Sequence, residues 1–116
     1  MDILAKSDSE ILEIADPIWG DMIQGSNEKN WGLFSKYMPE NRKSDEKRIN
    51  IEKQWDKSDV LTSLTTKREF LNILRKSDTV VVLWRQWSTN VEGELLAMLY
   101  FQSIDNEVKV KGNWII

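Results

Sequence analysis

The chain has 116 residues, of which 41% are hydrophobic and 30% charged, and its formal net charge is −3. Residues 1–116 therefore suit one globular domain, and the acidic balance argues against nucleic-acid binding, which needs a basic surface. The absence of cysteine and histidine excludes disulfides, thiolate catalysis and histidine-based acid–base or metal chemistry. No apolar run is long enough to span a membrane, and the first residues lack an apolar signal core. We expect a cytoplasmic protein without cofactor or metal.

The N-terminal third of the sequence predicts helices. Ser7 and Glu10 have the spacing of a capping box, and apolar residues follow at helical intervals as far as Ile23. Pro17 lies inside this pattern and is predicted to kink the helix or divide it in two. Gly25 is predicted to end it.

Two more helices are predicted before the strand-forming part of the sequence. Ser26 and Asn27 can cap a second, shorter helix that ends before Pro39. Ser44 can cap a third, mostly solvated helix over residues 45–57. A basic recognition patch is the alternative for this segment, but its acids cancel its bases, which favours a solvated helix with ion pairs.

The segment over residues 67–76 fits either a helix or a strand. Thr66 and Glu69 resemble a capping box, which favours a short helix. Ser77-Asp78, however, can close a hairpin onto the strand that begins at Thr79. We prefer the strand, because the connection is too short for a helix to reverse comfortably.

The segment Thr79–Ile116 contains three β-branched and aromatic runs bounded by turn residues, which predict three antiparallel strands. Asp105-Asn106 suits the tightest turn, because both residues tolerate the left-handed conformation. The resulting registers set Trp84 opposite Ala97, and Ala97 opposite Trp114. Together with the helices, these strands predict an α+β fold with a curved antiparallel sheet of about four strands.

Strand alternation sorts the side chains onto two faces. The predicted inner face, which the helices should cover, carries Val80, Val82, Trp84, Leu95, Ala97, Leu99, Phe101, Val108, Val110, Trp114 and Ile116. The predicted outer face carries Val81, Lys109, Lys111, Asn113, Ile115 and a candidate dimer surface formed by Phe70, Leu83, Arg85, Trp87, Glu94, Leu96, Met98 and Tyr100. Its apolar middle is unusual for a solvated face, so we predict a homodimer through it. Arg85 and Glu94 can bind a polar ligand there, or they can form an ion pair across the interface or on an open surface.

Two segments carry a resemblance to a known family. The turn and helix over Gly25–Pro39 and the closing hairpin over Gly93–Ile115 resemble the nuclear-transport-factor-2-like superfamily, the cystatin-like cone fold of ketosteroid isomerases and SnoaL-type polyketide cyclases. The resemblance implies a ligand pocket between the concave sheet face and the helices, and dimerisation through the opposite face. It supplies no catalytic residue: the isomerase tyrosine falls near Ile18, and the cyclase histidine has no counterpart.

The sequence supports three hypotheses of function. The first is a non-enzymatic dimeric domain in which Trp19, Trp31, Trp84 and Trp114 form the wall of a pocket for a small apolar ligand. Alternatively, these tryptophans pack in the hydrophobic core between the helices and the sheet and bind no ligand. The second is an isomerase-, dehydratase- or cyclase-like enzyme with a buried carboxylate as base. The third is an accessory subunit that binds another protein through the outer face.

The enzyme hypothesis needs particular side chains beside the pocket. Asp16 and Asp21 are the candidate bases, and Tyr37 or Tyr100 the candidate donor to a developing oxyanion. A pocket wall without any acid would favour binding. A wall that includes a carboxylate would favour catalysis.

Overall fold

The computed structural model describes residues 2–116, in which helices precede a four-stranded antiparallel sheet in the order β1-β2-β3-β4. The elements are α1 (Asp8–Glu28), α2 (Trp31–Phe34), α3 (Asp45–Lys57), β1 (Leu64–Arg75), β2 (Val80–Ser88), β3 (Leu95–Ile104) and β4 (Glu107–Ile115). Two short 3-10 turns, Ile3–Ala5 and Glu40–Arg42, precede α1 and α3 respectively. The predicted α+β class is confirmed.

Helix α1 begins at the predicted capping box. The Ser7 hydroxyl accepts a hydrogen bond from the Glu10 amide at 3.2 Å, and the Glu10 carboxylate accepts one from the Ser7 amide at 3.0 Å. The helix is not divided at Pro17, which is exposed. The proline removes the partner of the Glu13 carbonyl, but at an exposed position water can replace it.

Helix α1 also continues beyond Gly25 and ends at Glu28, with Lys29 in the left-handed conformation (φ 54°). The predicted stop at Gly25 is therefore wrong. Gly25 is buried because the chain folds back on it: a Cβ added there would lie 2.7 Å from the Phe34 backbone nitrogen. Because glycine has no Cβ, α1 and α2 can approach closely at this position.

The second helix is shorter than predicted and has a different cap. Asn30 accepts from the Leu33 amide at 3.1 Å, and the helix covers only Trp31–Phe34. The predicted caps Ser26 and Asn27 instead lie in the last turns of α1. There they bond to the segment that leads into β1.

That bonding joins the end of α1 to the beginning of the sheet. The Asn27 side chain donates to the Leu64 carbonyl at 2.8 Å and accepts from the Leu64 amide at 2.9 Å, and the Ser26 hydroxyl donates to the Leu61 carbonyl. The third helix agrees with its prediction, since Ser44 caps it by accepting from the Lys47 amide at 3.2 Å.

Three features of the sheet agree with the sequence. The ambiguous segment is a strand, and Lys76 donates to the Thr79 carbonyl at 2.8 Å across the Ser77-Asp78 turn. Trp84 lies opposite Ala97. The turn Asp105-Asn106 has φ values of 52° and 64°, as the left-handed prediction required.

The predicted pairing of β3 with β4 is wrong beyond a β-bulge. Phe101 pairs with Val110, but Tyr100 pairs with Gly112, so Lys111 is an extra residue in β4. A shift of one residue exchanges the two faces of a strand.

The exchange moves the end of β4. Ile115, not Trp114, lies opposite Ala97, and Asn113 pairs with Leu99, so Asn113 and Ile115 turn to the inner face. Trp114 moves to the outer face and is 52% exposed. Its ring packs edge-on against Tyr100, with centroids 5.0 Å apart. The space for that ring comes from Gly112, where a Cβ would lie 2.5 Å from the indole.

A second irregularity changes the face of Phe70. Phe70 pairs with Trp84 and therefore shares the inner face, whereas Asn72 pairs with Leu83, and Leu71 is the extra residue between them. The predicted place of Phe70 on the outer dimer surface is wrong for this reason. Phe70 is 42% exposed at the edge of the sheet.

The core lies between the inner face and the helices. Its most deeply buried apolar members include Ile3, Ile11, Ala15, Met22, Val82, Trp84, Leu99, Phe101 and Val110. On the outer face, Leu83, Leu96, Met98 and Tyr100 are only partly buried, and Leu74 is 46% exposed. In this single chain, Val81 is buried on that face, and the other apolar side chains remain partly accessible to solvent.

Candidate functional site

A cavity of about 340 Å³ lies among α1, α2, α3 and the end of β4. That size is near the lower end of known ligand sites. The lining residues are Trp19, Met22, Ile23, Ser26, Phe34, Met38, Arg42, Lys47, Ile51, Gln54, Trp55, Leu61, Leu64, Val110, Lys111, Gly112, Asn113, Trp114 and Ile115.

The floor of the cavity is apolar and buried. Trp19, Met22 and Ile23 have the i, i+3, i+4 spacing that places side chains on one face of α1, and each is at most 3% exposed. Phe34 and Trp55 close the opposite side and meet edge to face, with ring centroids 5.3 Å apart and planes at 90°.

The rim of the cavity is polar, and the charged residues among its lining are all basic. Arg42, Lys47 and Lys111 line it together with the amides of Gln54 and Asn113, and no Asp or Glu is among the lining residues. The Lys111 ammonium lies 3.4 Å from the Thr79 hydroxyl and 4.0 Å from the Asp78 carboxylate. Within residues 2–116, the side chains of Arg42 and Lys47 form no ion pair.

The predicted tryptophan wall is only partly assembled. Trp19 lines the cavity, and Trp114 contributes to its rim although its ring lies on the outer face. Trp84 does not line it but stacks on Trp19, with centroids 5.6 Å apart and planes 14° from parallel. Trp31 also lies outside the lining; it is half-buried and packs against Phe34 at 6.2 Å.

Most of the residues that line the cavity were not predicted as pocket residues, and neither was Gln86, which contacts Trp19. The charge pattern places Trp55 on a solvated helix, although its spacing from Ile51 marks an apolar stripe on α3. Gln86 is fully buried and accepts a hydrogen bond from the Trp19 indole N–H at 3.1 Å. Strand alternation from Trp84 already places Gln86 on the inner face, and that was the available signal.

Gln86 is held by the sheet at its other end. Its amide donates to the Thr65 carbonyl at 2.8 Å and to the Trp87 carbonyl at 3.0 Å. The side chain thus connects the backbone of β1 and β2 to the indole of Trp19. A buried amide with all these partners can be kept in the core without a large desolvation cost.

The candidate bases of the enzyme hypothesis lie away from the cavity lining. Asp16 pairs with Arg68 at 2.8 Å. Asp21 accepts from the Tyr37 hydroxyl at 2.7 Å and lies 3.7 Å from the Lys36 ammonium. The hydrogen bond to Asp21, helped by partial burial, raises the pKa of Tyr37. Tyr100 packs on Trp114 at the outer face.

The outer face carries charged residues beside its apolar centre. Arg85 lies between two acids, 2.7 Å from Glu69 and 3.3 Å from Glu94. The Lys67 ammonium lies 5.1 Å from the centre of the Trp87 ring, within cation–π range. The predicted pair of Arg85 and Glu94 therefore forms within one chain.

The described residues bring no three potential metal ligands of the His, Cys, Asp or Glu type together. Across residues 2–116, the helices are too short or too polar for one of them to cross a bilayer. The site is thus an apolar cavity with a cationic rim in an α+β domain. When the chain is compared with protein-family models and with curated proteins, it matches none of either.

Proposed function

We propose that this protein is a non-enzymatic binding domain of the nuclear-transport-factor-2-like type, which holds a small, mainly apolar ligand against Trp19 and Trp55. One observation carries the proposal: the cavity has a buried aromatic floor, and its lining includes no carboxylate. A largely apolar site with a few polar groups at its margin is what small-ligand binding requires.

The enzyme alternative has less support. Its mechanism needs a carboxylate beside the cavity with a pKa raised by burial. Asp16 and Asp21 are instead paired with Arg68 and Tyr37, and neither lines the cavity. Binding without catalysis is therefore the function that the geometry favours.

An uncharged fluorescent probe, N-phenyl-1-naphthylamine, tests the proposal directly. We expect its emission to rise on titration with the wild-type protein. Ile51 lines the cavity from α3, so Ile51→Trp should fill space and weaken probe binding about tenfold or more. Ile49 lies on the same helix, is 45% exposed and does not line the cavity, so Ile49→Trp is the matched control. Failure of the probe to bind, or equal binding by both variants, would refute the proposal.

We further propose that the protein is a homodimer through the outer face. Leu83, Leu96 and Met98 are only partly buried there beside Trp114, which is 52% exposed, so apolar side chains remain accessible on this face. A two-fold contact uses the same surface twice, so the surface must complement itself. Arg85 between Glu69 and Glu94 presents both signs of charge, as self-complementarity requires.

Light scattering on the purified chain separates this arrangement from its alternative. A dimer mass supports self-association. A monomer at micromolar concentration supports instead the accessory-subunit hypothesis, in which the same face binds a different protein.

A further inference from the structure

We infer that the ligand of this cavity is an apolar monocarboxylate, whose hydrocarbon body lies on the aromatic floor and whose carboxylate lies between Arg42 and Lys47. The inference rests on the proposed binding function and adds the chemical class of the ligand.

Among the described residues, the ion pairs around the rim leave two cations without an acidic partner. Four basic residues occur between Arg42 and Arg48, and two of them have acidic partners nearby: Lys43 lies 3.3 Å from Glu40, and Arg48 lies 3.8 Å from Asp45. The other two, Arg42 and Lys47, form no ion pair within residues 2–116. These two are the ones that line the cavity.

The same two cations are also partly shielded from solvent. Both Arg42 and Lys47 are half-buried, so each is partly withdrawn from water. A partly desolvated cation without an acidic neighbour gains more from an arriving anion than a fully exposed one does, because screening by water is weaker. Glu46, the acid next to Lys47 along the chain, is exposed and lines a shallow groove beside the rim. Glu40, the acid nearest to Arg42 along the chain, pairs with Lys43.

The cavity is divided into an apolar part and a polar part. Lys47 and Ile51 are one helical turn apart on α3, and Trp55 is one turn further. The same face of α3 thus runs from a cation to a buried indole. An amphipathic ligand matches that gradient. An anionic head near Arg42 can also accept hydrogen bonds in the fork geometry of a guanidinium, which carboxylates fit well.

Three straight-chain ligands that differ only in their head group test the inference: decanoate, 1-decanol and decylammonium. The two ionic ligands are used below their micellar concentrations and 1-decanol below its solubility limit. Each is titrated against protein loaded with N-phenyl-1-naphthylamine, and displacement of the probe is measured. We expect decanoate to bind about tenfold more tightly than decanol, and decylammonium to bind most weakly. In the double variant Arg42→Gln/Lys47→Gln, decanoate should fall to the affinity of decanol.

Two controls make the outcome specific. Lys53 is an exposed residue of α3 outside the cavity lining, so Lys53→Gln should keep the preference for decanoate. The affinity of the uncharged probe for the double variant should equal that for the wild type, which shows that the cavity is intact.

The remaining outcomes each overturn a different statement. Equal binding of decanoate and decanol, with the probe still bound, refutes the monocarboxylate and leaves the proposed function standing. A preference for decanoate that survives in the double variant refutes the role of Arg42 and Lys47. Failure of the probe and all three ligands to bind refutes the inference together with the proposed function.

Discussion

Trp19 of α1 stacks on Trp84 of β2 with ring centroids 5.6 Å apart and planes 14° from parallel. The two rings come from opposite layers of the fold, and only Trp19 also lines the cavity. Trp84 is 1% exposed and cannot move without disturbing the core. The indole N–H of Trp19 is held by Gln86, so the ring that forms the cavity floor is fixed in position by stacking and by a buried hydrogen bond.

This arrangement predicts that Gln86→Leu destabilises the fold by about 2 kcal/mol. The substitution leaves the Trp19 N–H buried without a partner and removes two bonds to backbone carbonyls, and an unsatisfied buried donor costs roughly 1–3 kcal/mol. Urea denaturation measures the loss. Gln102→Leu is the control, because Gln102 is partly exposed and bonds to the exposed Asp78. Equal losses for the two variants would contradict the role given to Gln86.

The local chemistry of this sequence specifies much of the fold. Ser7 with Glu10 and Ser44 alone place two helix starts, because capping depends on neighbouring residues only. The left-handed preference of Asp105-Asn106 places the last turn. Counting residues back from that turn gives the correct pairs of β3 and β4 as far as Phe101 and Val110, where the β-bulge begins.

The preferences of neighbouring residues do not show where a strand contains a β-bulge or where two helices approach closely. The extra residue Lys111 exchanges the faces of Asn113 and Trp114, and nothing in β4 alone marks it except Gly112, whose role depends on the Trp114 ring. Gly25 likewise resembles a helix stop until the approach of Phe34 is known.

The candidate site was predictable only in part for the same reason. Helical spacing finds the inward face that carries Trp19. The composition of the cavity rim, by contrast, depends on which basic residues of the charged segment find acidic partners in three dimensions. No periodicity in the sequence distinguishes Arg42 from Lys43.

The contact of Gly25 with Phe34 predicts a contrast between two glycines of the same helix. Gly25→Ala should cost about 2 kcal/mol, because the new Cβ would lie 2.7 Å from the Phe34 nitrogen and 2.9 Å from its Cα, and backbone cannot yield as a side chain can. At Gly20 the nearest atom is the end of the Arg68 side chain, 3.7 Å away. Gly20→Ala should therefore stabilise the helix by about 0.5–1 kcal/mol. Thermal denaturation measures both variants. A shift of the two melting temperatures in the same direction would contradict this account.

The two faces of β3 predict opposite outcomes for aspartate substitutions at the neighbouring residues Met98 and Leu99. Leu99 is completely buried under the helices, so Leu99→Asp should abolish folding by placing an unpaired charge in the core. Met98 is half-buried on the open outer face, so Met98→Asp should keep the native circular dichroism spectrum and yield monomers. Circular dichroism and light scattering check the pair. Folded Leu99→Asp alongside unfolded Met98→Asp would show that the faces are inverted, and a Met98→Asp dimer would refute the outer-face interface.

The hydrogen bond from Tyr37 to Asp21 predicts a pH-dependent contribution to stability. Because this bond raises the pKa of Tyr37 above its ordinary value, the folded state holds the phenol proton more tightly than the unfolded state does. The contribution is complete below the unfolded-state pKa of about 10 and is lost as the pH rises through the folded-state pKa.

Tyr37→Phe removes both the bond and the titration, so the difference in unfolding free energy between wild type and variant is the quantity to measure. We expect the wild type to be more stable by about 1 kcal/mol near neutral pH, the usual net value of such a bond. As the pH rises from about 10 through the folded-state pKa, that difference should shrink, because the wild type alone has a phenol that then loses its proton. Urea titrations of both proteins across this range provide the check. A difference that stays constant or grows would mean that the Tyr37 hydroxyl does not donate to Asp21 in solution.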